Sequence, residues 1–81
     1  MDVIEREIAA IVAEVAEIDP DEIVSTATLA DAGVDSLMAV EIAVEVERRY
    51  KLRFTEEELK QIASFGSLVS LTRSKLAAPA P

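Results

Sequence analysis

The sequence predicts an all-α protein, a small antiparallel bundle of three main helices plus one short helix. Three observations carry that prediction. Apolar residues recur at three- and four-residue steps in separate stretches. Residues suited to helix starts precede those stretches, at Asp2, at Asp35 or Ser36, and at Thr55. The extended-looking runs Val24–Thr28 and Leu52–Thr55 are too short and isolated to build a sheet.

Asp2-Val3-Ile4-Glu5 reads as a capping box, with Asp2 as cap and Glu5 reaching back. Ile4, Ile8, Ile11, Val15 and Ile18 then form one stripe on a helix of about four turns. Asp19-Pro20-Asp21-Glu22 stops that helix and starts a short turn, with Pro20 in the first helical position and Glu22 closing a second box. Residues 24–35 form a long loop pinned by Ile23, Leu29 and Val34, and a loop of that length in so small a domain points to a functional surface. A second helix runs from Asp35 or Ser36 to Tyr50. Thr55-Glu56-Glu57-Glu58 is a third capping box, opening a short helix with Leu59 and Ile62. Gly66 breaks the pattern, and a last helix from about Ser67 to Leu76 offers Leu68, Val69, Leu71 and Leu76 to the core. Residues 1–76 form the domain, and 77–81 (Ala-Ala-Pro-Ala-Pro) read as a flexible tail.

Composition narrows the function classes. At 81 residues the chain is one small domain, and its 51% hydrophobic content suffices for a core, which at 4% aromatic residues must be aliphatic. The absence of cysteine leaves no disulfide framework and no thiolate metal site, so no metal is expected and a reducing, cytoplasmic setting fits. No apolar run approaches a membrane span, and the start is acidic, unlike a signal peptide. A net charge of −8 argues against nucleic acid as a partner. The charge is uneven. Residues 1–47 hold thirteen acids against Arg6 alone, a net of −12, whereas residues 48–81 hold seven bases and three acids. Such a surface either serves solubility or faces partners that carry basic patches.

On a helical wheel the second helix divides into three arcs. Ala39, Ile42, Ala43, Val46 and Tyr50 face the core, and Glu41, Glu45, Arg48 and Arg49 face water. Ser36, Val40, Val44 and Glu47 share the strip between them. Periodicity alone slightly favours Val40 and Val44 as a wider core face over an exposed docking strip. Ser36 is either the helix cap, the commonest role of a serine there, or free in the first turn with Asp35 as the cap.

Gly33-Val34-Asp35-Ser36-Leu37, set in this frame of elements, resembles the Asp-Ser-Leu signature of acyl carrier proteins. The resemblance spans nearly the whole chain and implies an acyl-carrier-like four-helix bundle. It also implies covalent 4′-phosphopantetheine, derived from coenzyme A, on Ser36. Asp35, Leu37, Met38, Val40, Glu41, Val44 and Glu47 match the family's partner-recognition positions, which favours exposure of the strip. Asp35-Ser36-Leu37-Met38-Ala39-Val40-Glu41 is similar to polyketide carriers, and Met38 stands where fatty-acid carriers tend to have an acid. The basic cluster Arg48, Arg49, Lys51 and Arg53 also departs from fatty-acid carriers, and the second half resembles free-standing carriers. Peptidyl carriers usually show His or Asp before the serine with a Gly-Gly lead. Val34-Asp35 therefore ranks a peptidyl or aminoacyl carrier, like a fatty-acid-synthesis carrier, behind the polyketide reading as an open alternative. The implied function is a monomeric carrier of acyl or polyketide thioesters. Its implied partners are a phosphopantetheinyl transferase and acyl-processing enzymes such as a ketosynthase or acyltransferase.

Two rival classes remain beside it. A serine enzyme needs a base, normally histidine, and the chain has none. Carboxylates such as Asp31 and Asp35 would lack the pocket needed to tune them for acid–base chemistry. A plain helical adaptor, with Ser36 merely structural, predicts partner binding that is indifferent to modification of Ser36.

Overall fold

In the computed structural model of the protein, residues 2–23 and 28–77 are described. Their elements are α1 (Val3–Ala16), a 3₁₀ turn (Pro20–Glu22), α2 (Ser36–Tyr50), α3 (Glu56–Gln61) and α4 (Phe65–Ala77). The all-helical expectation holds. The only extended pairing among the described residues is a single bridge between Thr28 and Ser64.

Asp2 caps α1 as expected, its carboxylate accepting the Glu5 N–H at 2.9 Å. Glu5 does not close the box by the expected route; its carboxylate takes the Arg73 guanidinium of α4 instead. α1 ends earlier than the Asp19–Glu22 stop. Glu17 turns left-handed (φ 57°) and Ile18 N–H folds back to the Ala13 carbonyl, so Ile18 leaves the helix yet still packs on the core. Asp19 caps the 3₁₀ turn through Asp21 N–H, with Pro20 at its start. Residues 24–27 of the expected loop lie outside the described residues.

α3 opens with the full reciprocal box: Thr55 Oγ1 accepts from Glu58 N–H, and Glu58 accepts from Thr55 N–H. Gly66 does not break the chain as expected but sits in the first turn of α4. Ser64 and Ser67 explain why. Ser67 N–H donates to Ser64 Oγ at 3.1 Å and Ser64 N–H to Ser67 Oγ at 3.0 Å, a serine version of the same box. A first-turn residue has no intrahelical donor bond to lose, so glycine costs less there than in a helix interior. α4 also runs to Ala77, one residue past the expected domain end, and residues 78–81 lie outside the described residues.

The core lies where α1, α2 and α4 meet. Ile8 and Val12 of α1, Ile42 and Val46 of α2, and Phe65 and Leu68 of α4 are all buried to within 1% exposure. Two sequence expectations fail here. The core is not purely aliphatic, because Phe54 and Phe65 are both buried. Leu76 stands in solvent, and Thr72 takes the inward position, its hydroxyl satisfied by the Leu68 carbonyl at 2.8 Å. Burying that hydroxyl is tolerable because the local bond replaces water.

Ion pairs join the acidic and basic halves of the sequence. Arg49 of α2 pairs with Glu7 of α1, and Arg73 of α4 pairs with Asp2 and Glu5 of α1. Pairing the start of α1 with the ends of α2 and α4 makes α1 antiparallel to both.

Candidate functional site

The site is built by the loop that delivers the chain to α2. Thr28 Oγ1 accepts Asp31 N–H, and the Leu29 carbonyl accepts the N–H groups of Ala32 and Val34. Gly33 adopts φ 87°. A Cβ there would meet nothing within 4 Å, so the glycine answers to backbone conformation and not to crowding. Leu29 and Val34 are buried, and Leu29 N–H donates to the Ala63 carbonyl at 2.9 Å. The loop is thereby fastened to the α3–α4 junction and held against α2.

The choice between two caps is settled by geometry. Asp35 is extended (φ −90°, ψ −177°), and its carboxylate accepts Met38 N–H at 2.8 Å. Ser36 is therefore the first residue of α2, exposed, with its hydroxyl not engaged as the cap. It stands at the positive end of a 15-residue helix. Two shallow grooves meet at Ser36. One, of about 380 Å³, is bordered by Leu29, Val34, Ala39 and Ala63; the other, of about 340 Å³, by Ala39, Val40, Leu59, Lys60 and Ile62. Ala39 and Ala63 border these grooves, whereas Ala43 is buried in the core. Lys60 and Ile62 were not singled out in the sequence as neighbours of Ser36. The Leu29–Ala63 bond, the Thr28–Ser64 bridge and the packing of Leu59 and Ile62 on the core hold that segment there, and no local pattern encodes these contacts.

The other expected residues divide by exposure. Leu37 is 68% exposed, Val40 50% and Val44 38%, which decides for an open strip over a wider core face. Glu41 is exposed beside them. Met38 is half-buried against the core. Glu47 is half-buried too, and its carboxylate accepts Phe54 N–H at 2.8 Å. The basic cluster is not uniformly free: Arg49 is committed to Glu7, and Arg48 lies 3.4 Å from Glu45.

These features suit 4′-phosphopantetheine. An exposed, uncapped hydroxyl can be esterified without dismantling the fold, and a phosphate placed there lies at a helix N-terminus. The grooves on either side give an elongated arm somewhere to lie. Among the described residues no cluster of acidic side chains is arranged to hold a metal, and no helix is long and apolar enough to cross a membrane.

A bundle of this shape, with a passive serine at the head of an exposed helix face, defines a carrier-type module. Comparison with known proteins makes the class specific: residues 6–72 match the family described as "Phosphopantetheine attachment site", and the chain belongs to that family. Its members are the sites of covalent 4′-phosphopantetheine attachment and are non-catalytic carriers. The chain is 44% identical over 69 residues to the non-reducing polyketide synthase pkiA of Emericella nidulans, covering 85% of this chain. It is 37% identical over 71 residues, 88% of this chain, to the non-reducing polyketide synthase azaA of Aspergillus niger. Clavatol synthase claF of Penicillium crustosum is 36% identical over 66 residues, 82% of this chain. The chain spans 3% of the length of each of these relatives. The likeness is thus to a small segment of large synthases, and it is of polyketide type.

Proposed function

We propose that this chain is an acyl carrier protein whose Ser36 bears the 4′-phosphopantetheine arm and presents polyketide-type intermediates to partner enzymes. One observation carries the assignment to Ser36. Asp35 takes the capping bond, so Ser36 is left exposed at the first helical position with its hydroxyl available. When bound, the arm supplies a terminal thiol that this cysteine-free chain lacks, and intermediates ride on it as thioesters.

The chain's own share is modest and specific. Ser36 Oγ is the acceptor in a reaction that a phosphopantetheinyl transferase performs with coenzyme A. The Oγ–phosphorus bond forms, the pyrophosphate bond of coenzyme A breaks, adenosine 3′,5′-bisphosphate leaves, and the hydroxyl proton passes to the transferase. The chain needs no base of its own, in keeping with its lack of histidine. Asp35, Leu37, Met38, Val40, Glu41, Val44 and Glu47 form the recognition face for the transferase and for acyl-processing enzymes such as a ketosynthase or acyltransferase. Leu37 and Val40 supply apolar contact at its head, and Glu41 supplies charge. Tethering the cargo raises its effective concentration at each partner, and acidic contacts make each encounter fast and salt-sensitive.

Incubation with coenzyme A and a broad-specificity transferase, followed by intact-protein mass spectrometry, tests the assignment. One added arm on the wild-type chain and none on Ser36→Ala is the expected result. Addition that survives Ser36→Ala would remove the assignment.

A further inference from the structure

We propose, on the reading that Ser36 bears the arm, that Lys60 of α3 is the counter-ion of the arm's phosphodiester. It thereby turns the arm into the groove between α2 and α3 and away from the loop. The two grooves that meet at Ser36 are alike in size, about 340 and 380 Å³, and opposite in charge. On the loop side the only charged residue of the lining is Asp35, whose carboxylate is fixed there by its bond to Met38 N–H. Between α2 and α3 the only charged residue of the lining is Lys60. Arg48, Arg49, Arg73 and Lys75 are each paired with carboxylates. Lys60 is exposed and has no such pair among the described residues, although Glu56 and Glu57 lie one turn before it.

A phosphodiester on Ser36 Oγ carries one negative charge at neutral pH. It meets the positive start of α2 whichever way the arm turns, so the helix end does not choose between the grooves. The side chains do. The Asp35 carboxylate repels the phosphate on one side, and the Lys60 ammonium attracts it on the other. Lysine suits the task, because a compact charge on a flexible four-carbon stem can follow a phosphate that moves. Next to the phosphate the arm bears a carbon with two methyl groups, and Val40, Leu59 and Ile62 offer that carbon an apolar surface. Leu59 and Ile62 also pack on the core, so this wall of the groove is fixed. An exposed ion pair is weak, which makes the hold partial, a preference of about two- to fivefold for one groove. Such a hold gives the arm a resting side and still releases it to a partner.

The test is NMR on an isotope-labelled chain loaded with an unlabelled arm from coenzyme A, with loading checked by intact mass. Isotope-filtered NOEs from the arm's two methyl groups are expected to Val40 and Leu59, and few to Leu29 or Val34. Lys60→Gln should reduce the first set about two- to fivefold while leaving the amide spectrum of α3 in place. Lys60→Arg should keep them, and Lys60→Glu should shift them toward Leu29 and Val34. Salt raised to about 0.5 M should weaken them in the wild-type chain. Should Lys60→Gln disturb α3, that salt titration decides alone. No NOE between arm and chain, NOEs centred on Leu29 and Val34 in the wild type, or NOEs that Lys60→Gln and salt leave unchanged would each overturn the proposal. A chain that takes no arm, or takes one after Ser36→Ala, defeats the attachment reading and this one with it. An arm on Ser36 that is indifferent to Lys60 and to salt defeats the role of Lys60 alone.

Discussion

The two ends of α2 are held in opposite ways. At its start Ser36, Leu37 and Val40 stand in solvent, and the helix is anchored there by one cap bond from Asp35 and a loop secured through its own backbone. At its end Glu47 grips Phe54 N–H, Arg49 pairs with Glu7, and Lys51 turns left-handed (φ 54°) to stop the helix. One helix therefore serves as a lever, clamped at the far end and presented at the near end. Stability and accessibility are separated along its length, so a surface that partners must reach can carry apolar side chains without loosening the bundle.

The largest effect that would break this contrast is in the core. Ile42, 1% exposed, packs the middle of α2, and Ile42→Ala should cost about 2–4 kcal/mol in urea unfolding. For a chain of this size that is a large share of a total near 4–12 kcal/mol. Leu37→Ala, five residues earlier, should stay within about 0.5 kcal/mol. Equal costs for the two would mean that the near end is not open.

Glu47 sharpens the comparison because the sequence placed it with the recognition residues. Its half-buried carboxylate satisfies a backbone donor, so Glu47→Ala should cost about 1–3 kcal/mol, and Glu47→Gln less, since the amide oxygen can still accept. Glu45→Ala, which removes only an exposed pair with Arg48, should change stability by under about 0.5 kcal/mol. At the near end Asp35→Ala should cost about 1 kcal/mol through the lost cap, and Asp35→Asn almost nothing. An unfolding series that ranks Glu47→Ala below Glu45→Ala would show that the far end is not clamped by this bond.

What was legible in the sequence was mostly local. Caps act within three residues, so Asp2 and Thr55 were readable, and the stripe Ile8–Ile11 declared the buried face of α1. Asp35 and Ser36 were both legitimate caps, and only the Met38 N–H bond chose between them. What stayed hidden depended on contacts remote in sequence or on an unusual local partner. Glu5 abandoned its box because Arg73 reaches it from α4. Gly66 entered a helix because two serines capped each other. The contrast of acidic and basic halves suggested a surface for partners, yet Arg49 and Arg73 spend their charge on surface pairs with the start of α1. Lys60 and Ile62 lie beside Ser36 although they are more than twenty residues away in sequence, beyond any periodicity.

The smallest effect concerns the wall of the groove beside Ser36. Lys75 of α4 pairs with Glu58 of α3 at 2.8 Å, and this pair, then the Thr55 N–H, holds the Glu58 carboxyl below its ordinary 4.5. Asp2 is likewise lowered, first by the Glu5 N–H and then by Arg73. A carboxyl whose folded pKa is depressed stabilises the fold above its ordinary value, and that contribution drains away as pH falls through the lowered one. Asp2 is exposed and Glu58 half-buried, so the acid limb should be shallow and flatter still in high salt. Glu58→Gln isolates the charge, because glutamine can keep the capping box while losing the pair with Lys75. Its Tm should lie slightly below wild type at neutral pH, and the two curves should converge once the pH drops well below 4.5. A gap that persists undiminished in acid would mean that α3 is held to α4 by packing alone, leaving the near end of α2 bordered by a wall that protonation does not loosen.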